Sequence, residues 1–438
     1  MSHSRPSCHC LAAACSILAA VLLFTAACSE NVAAAPSSQS APAAAATSAP
    51  AAVPFAQPLQ PFQQELLRLA FRAASAFPLE PHHKNRARAQ EVVVVGCFEL
   101  GQPQLALEFA NAIEGWRRGS AYADYACYCA NHGERDQALA YVKHAEAIVQ
   151  QLDSDPNEQG WRRDLVAMKL ARAFLLLGDR AHAEKLAAGI DASSANAVDD
   201  DWADTAAGGA LLAPADKIGE QIEALQAAFP KMSLGQQNTA VVTLVRLHER
   251  CFPATAQRTA IEELLTTTFD KLPPGIRLPV IARLASTCVE HGDKAAALRL
   301  LATARKIAEL HTWRPCDHVP VLARLCELRG RAGEVAEARV EAEAAMRIYQ
   351  NERDAIVDID RAETIRPLAI AWHALGETTT ADGLLALALE EALENPNSRP
   401  RADDFVDTAV AMARNRIEPS PALLIRMREI CEGLGNPW

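Results

Sequence analysis

One arrangement recurs along this chain and limits what it can fold into. A glycine is preceded by a large residue eight positions back and a small one seven back, and followed by small residues five and twelve on. It is complete at Leu284, Ala285, Gly292, Ala297 and Ala304. Glycine ends a helix cheaply because it accepts the left-handed backbone that a Cβ penalises. The small residues fall where two antiparallel helices would touch, and small side chains let backbones approach. Gly133 repeats the set with Tyr125, Ala126, Ala138 and Ala145, Gly376 with Leu368, Ala369, Ala381 and Ala388, and Gly333 with Leu325, Cys326, Ala338 and Ala345. Gly178 keeps Ala171 and Ala183 but has Ile190 in the last position. Gly101 keeps only Ala106, with Val94 and Ile113 in other positions. The spacing predicts helix-turn-helix units stacked into an all-α solenoid.

The five positions around Gly292 resemble the tetratricopeptide repeat, and the resemblance covers most of residues 84–434. It implies a right-handed α-solenoid that binds other proteins. The chain departs from the family where an aromatic is usual early in the first helix: Tyr122 keeps one, but Gln90, Ala167, Ile281, Leu322 and Ile365 stand there in the other copies. The family's closing proline is missing in every copy. Its chaperone-tail asparagine is replaced by Val95, Cys127, Arg172, Ser286, Glu327 and Ile370. The gap between Gly178 and Gly292 divides evenly if Pro214 and Pro253 also mark turns, and Glu418-Pro419 supplies a last one. About nine repeats of roughly 40 residues result, the length of extended tetratricopeptide or HEAT-like units.

The N-terminal part reads differently. Residues 1–27 have an almost unbroken apolar run from Leu11 and end in Phe24-Thr25-Ala26-Ala27 before Cys28-Ser29. This resembles a bacterial lipoprotein signal, which implies lipidation of Cys28. With Ser29 next, it implies an outer-membrane lipoprotein facing the periplasm; secretion and an inner-membrane anchor are the alternatives. Asn31 to Gln64 contains no charged residue and is dominated by Ala, Pro and Ser, sequence that cannot bury a core. The expected division is a signal over 1–27, the lipidated cysteine and a disordered tether over 28–61, and the solenoid over 62–438. Phe62 to Phe77 reads as a lone amphipathic helix capping the N-terminal end, broken at Pro78 and Pro81. Between Ala192 and Phe229, Gly208-Gly209 and the acidic run Asp199-Asp200-Asp201 predict a loop and a poorly formed repeat.

A net charge of −11 leaves no basic stripe for nucleic acid. Of twelve cysteines, Cys97, Cys129 and Cys288 each lie four before a turn glycine, where Phe174 and Trp372 stand in other copies, so they read as core. The close pairs Cys127/Cys129, His248/Cys251, Cys288/His291 and Cys316/His318 lack the second pair that a zinc site needs. Asp153-Ser154-Asp155-Pro156-Asn157 has Glu158 where a calcium loop needs glycine. No metal and no cofactor are expected, nor is a phosphate cradle or a nucleophile elbow found. In the tetratricopeptide family one first-helix position faces the concave groove. The matching positions hold Asp124, Lys169, Arg283 and Arg324, with Arg366 one place earlier in its copy. The basic residues read either as solvated helix positions or as a site for an acidic or carboxylate-ended segment of an unknown protein, since guanidinium grips carboxylates bidentately. The expectation is a non-catalytic scaffold or assembly factor touching the membrane only through its lipid. The alternatives are an (α/α)-toroid enzyme cutting polysaccharide and, if the signal is not real, a cytosolic regulatory repeat protein.

Overall fold

The computed structural model describes residues 58–154, 159–190, 217–268 and 272–438. Their regular structure is all helix: α1 (Pro61–Ala76), α2 (Leu79–Glu99), α3 (Pro103–Ala110), α4 (Trp116–Asn131), α5 (Arg135–Ser154), α6 (Gly160–Leu176), α7 (Arg180–Ala188), α8 (Ile218–Ala228), α9 (Leu234–Arg250), α10 (Thr255–Glu263), α11 (Pro274–Glu290), α12 (Lys294–Glu309), α13 (Pro315–Ala332), α14 (Val335–Glu352), α15 (Asp358–Ala374), α16 (Thr378–Leu393), α17 (Ser398–Arg414) and α18 (Pro421–Glu432). The chain is a helical repeat solenoid, as its glycine spacing predicts. The signal segment, Cys28, nearly all of the tether, the Asp199–Asp201 run, Gly208-Gly209 and the Pro214 turn lie outside the described residues.

The turns share one chemistry. Gly101, Gly133, Gly178, Gly292, Gly333 and Gly376 all adopt positive φ. In each, the N–H one residue past the glycine donates to the carbonyl four before it: Gln102 to Cys97 at 2.8 Å, Glu134 to Cys129 at 2.9 Å, Asp179 to Phe174 at 2.8 Å, Asp293 to Cys288 at 2.8 Å, Glu334 to Arg329 at 3.2 Å and Glu377 to Trp372 at 3.0 Å. That bond satisfies a carbonyl the helix end would otherwise orphan. After α17, Arg416 (φ 54) takes the glycine's place, and Ile417 donates to Met412 at 2.9 Å. The small positions are closed: Ala106, Ala126, Ala138, Ala145, Ala183, Ala285, Ala297, Ala304, Ala338, Ala345, Ala369, Ala381 and Ala388 have no exposure beyond 1%.

Hairpins α2–α3, α4–α5, α6–α7, α9–α10, α11–α12, α13–α14 and α15–α16 form at these turns and at Pro253. The last pair breaks the order of the chain. The main partner of α17 is α1, brought from the other end of the sequence, while α18 lies against α1, α16 and α17. Helix α17 also packs along α2, so the stack runs from α9 through α17 and α1 into α2 and on to α7. The expected N-terminal cap is therefore an internal seam. Leu66, Leu67, Ala70, Ala73 and Ala74 of α1 are buried in one core with Phe405, Val406, Ala409, Val410 and Ala413 of α17. The Gln63 side chain donates to the Ala413 carbonyl at 2.8 Å within this buried seam. Arg428 pairs with Glu65, Arg414 with Glu99, and the Phe77 and Trp438 rings lie 5.1 Å apart. The α1 face is too apolar to stay in water, and α17 offers the complementary stripe.

Candidate functional site

The helices preceding the turns (α2, α4, α6, α9, α11, α13, α15 and α17) form a row, and the expected groove residues stand on it. Each basic one meets a carboxylate. The Lys169 ammonium on α6 donates to Asp124 of α4 at 2.6 Å and to Ser120 at 2.8 Å. The Ser120 hydroxyl in turn donates to Glu91 of α2 at 2.9 Å, and Glu91 pairs with Arg117. Two cations and two carboxylates thus balance across three successive helices, and buried Glu91 is charge-compensated as burial demands. Arg283 on α11 pairs with Glu249 of α9 at 3.5 Å. Arg324 on α13 pairs with Glu327 and reaches Ser286 of α11 at 3.4 Å.

Arg366 is different. It is buried, and its guanidinium donates to the Asp404 carbonyl at 3.3 Å and to Thr408 at 3.4 Å, with the Asp404 and Asp407 carboxylates at 3.9 and 3.7 Å. It ties α15 to α17 and does not line an open groove. Spacing placed it one position from the others, and that single position turns the side chain into the helix contact. The side chains of Arg283 and Arg324 remain 38% and 40% exposed, so these two hold the accessible part of the predicted set.

Burial pushes the Asp404 carboxyl up to about 7, opposed by Arg366 and reinforced by Asp407, Glu363 and Asp403. The folded value lies above the ordinary 3.8, so the native state holds this proton more tightly than the unfolded chain does. Its contribution to stability is complete below 3.8 and is lost as the pH rises to about 7. Asp404→Asn is expected to flatten that part of the stability curve and to compare best with the wild type above pH 7. Urea midpoints across the range test this, and an unchanged slope would rule it out.

A second cluster escaped the sequence reading. His248 of α9, Glu262 of α10 and Cys288 of α11 bring one ligand-type atom each within 4.8 Å of one another. His248 Nε2 lies 3.0 Å from Glu262 Oε1, and Cys288 Sγ lies 4.0 Å from the same oxygen. His248 and Cys288 are fully buried. Arg258 stands 3.6 Å from Glu262 and 3.1 Å from Asp293, over the Phe252 ring. Burial pushes the Cys288 thiol up to about 12, with Glu262 and Asp293 adding to the effect. Short sequence spacings paired His248 with Cys251 and Cys288 with His291, but the repeat instead aligns residues one whole unit apart.

Among the described residues no helix is long and apolar enough to cross a membrane. The chain matches no protein-family model and no curated protein.

Proposed function

We propose that this chain is a non-catalytic protein-binding scaffold or assembly factor of tetratricopeptide-like type, held at a bacterial envelope membrane through Cys28. The observation that carries the binding role is the pair Arg283 and Arg324. They occupy the same repeat position on α11 and α13, and both are partly exposed. Their partners, Glu249 and Glu327, are carboxylates that an acidic or carboxylate-ended segment of another protein can replace in kind. Solenoids bind along such extended rows.

Charge reversal would set new carboxylates beside Glu249 and Glu327 and confuse folding with binding. Neutral Arg283→Gln with Arg324→Gln is the cleaner variant. A stoichiometric partner recovered with the wild type should bind the double variant more weakly by about 1.5–3 kcal/mol per lost charged hydrogen bond. Equal binding by the folded variant would return both arginines to the solvated face. The anchor is tested separately: labelled palmitate should enter the wild type, and Cys28→Ser should leave the membrane fraction. Unlabelled wild type in the soluble fraction would remove the tether from this proposal.

A second reading, the (α/α)-toroid enzyme, draws on one observation: α17, late in the chain, packs on α2, early in it. Asp404, pushed up to about 7 by burial, is its acid candidate. New reducing ends released from envelope polysaccharides by the wild type and not by Asp404→Asn would favour it over the scaffold.

A further inference from the structure

We propose that His248, Glu262 and Cys288 form a binding site for one divalent transition-metal ion of the zinc class. Imidazole, carboxylate and thiolate are zinc's three usual protein ligands, and three protein ligands leave a fourth position for water. Bond lengths of about 2.0–2.3 Å place tetrahedral ligand atoms roughly 3.3–3.8 Å apart. The observed 3.0 and 4.0 Å, with all three atoms inside 4.8 Å, need only side-chain adjustment to reach that geometry.

The repeat itself shows that these residues are out of place as packing. Counted from the residue before each second helix, the eighth position holds Ala110, Val142, Ala187, Leu301, Ala342 and Leu385 in the glycine-turn copies, and Glu262 here. The fourth holds Ala106, Ala138, Ala183, Ala297, Ala338 and Ala381, and Arg258 here. His248 stands three before its helix-capping residue Cys251, as Cys288 stands three before His291, so the two side chains share a repeat position on neighbouring helices. This Pro253-turn unit therefore puts ionisable groups where the glycine-turn units put apolar ones, and they converge on the cysteine of the next unit.

The surroundings fit a cation. His248 offers the ion Nε2, the nitrogen that faces Glu262, while Nδ1 is buried with no hydrogen-bond partner among the described residues. Thiolate and carboxylate together neutralise a divalent ion, while Arg258 and Asp293 offset each other beside it. Arg258 would steady Glu262, as outer partners of metal ligands do. Glu262, 14% exposed, gives the ion its way in. Just beyond Glu262 the helix widens into a π-helical turn over Leu264–Thr268, a device common at functional sites. On binding, the metal–sulfur bond forms, the S–H bond breaks, and the proton leaves to solvent.

Cobalt(II) titrated into the metal-stripped full chain is the direct probe. One equivalent should produce a thiolate-to-cobalt absorption band, and zinc(II) should abolish it. Cys288→Ser should remove the band. Glu262→Gln should weaken zinc, measured against a chromophoric chelator, by more than the about 10–100-fold typical of losing an outer partner. Cys129→Ser, at the same repeat position elsewhere, should leave both readouts unchanged. If Cys288→Ser fails to fold, Glu262→Gln decides alone. Absence of the band in wild type, or zinc affinity unaltered by Glu262→Gln, would overturn the site and leave a hydrogen-bonded tie between α9 and α10.

Discussion

A chain beginning at residue 79 is expected to lose the fold of its C-terminal helices, although the deletion leaves every glycine turn intact. Its α17 would keep Phe405, Val406, Ala409, Val410 and Ala413 but lose the helix that covers them. Burying a large apolar side chain stabilises by about 1.5–3 kcal/mol, and α1 with the residue after it contributes Leu66, Leu67, Leu69 and Phe77. About 6–12 kcal/mol at stake compares with a total of about 5–15 kcal/mol for a typical domain. The Gln63–Ala413 bond and the Glu65–Arg428 pair go with it. Hydrogen exchange over residues 398–432 reads the effect, and a synthetic peptide of residues 58–78 added in trans should restore protection. Protection of α17 that survives the deletion without peptide would show that α18 can take the place of α1. A chain cut within residues 191–216 should meanwhile stay together as two fragments, because the α1–α17 seam joins them.

The turns were legible because a positive-φ glycine is a local requirement, written one residue at a time. The seam was not, because periodicity shows that α1 has an apolar face and does not show which helix covers it. One sign was present nonetheless. Five and twelve residues after Arg416, where a docking second helix carries small residues, stand Pro421 and Arg428. A helix so equipped cannot lie close along α17, whereas Ala70, Ala73 and Ala74 of α1 can. The basic row was legible as a spacing, but its neutralisation was not. Asp124, Glu249 and Asp404 approach their bases only once neighbouring units stack, tens of residues away in sequence. The same holds for the metal-type cluster. The place of Cys288 four before a turn glycine marks it as core, and it is buried. What spacing within one helix could not show is that His248 occupies the equivalent position one unit earlier.

The second large effect tests the repeat register at one atom-sized position. Ala285 has no solvent exposure and sits among Leu284, Leu300, Leu301 and Ala304 in the α11–α12 core. Its equivalent one unit on is Cys326, also buried. A sulfur is therefore accommodated at this position elsewhere in the same stack, so Ala285→Cys should be nearly neutral. Ala285→Leu adds volume where the two backbones approach and should cost about 1–3 kcal/mol, as overpacking does. Ala285→Asp adds volume and also strands a carboxylate in an apolar contact. Its cost should be the largest, about 3–5 kcal/mol, the range found when a buried charge is left unpaired. Part of that penalty would be relieved by protonation, so the Asp variant alone should regain stability on acidification. Urea denaturation at neutral and acid pH gives the whole series. If Cys, Leu and Asp fall within a few tenths of a kcal/mol of one another, Ala285 does not face the partner helix and the register fails.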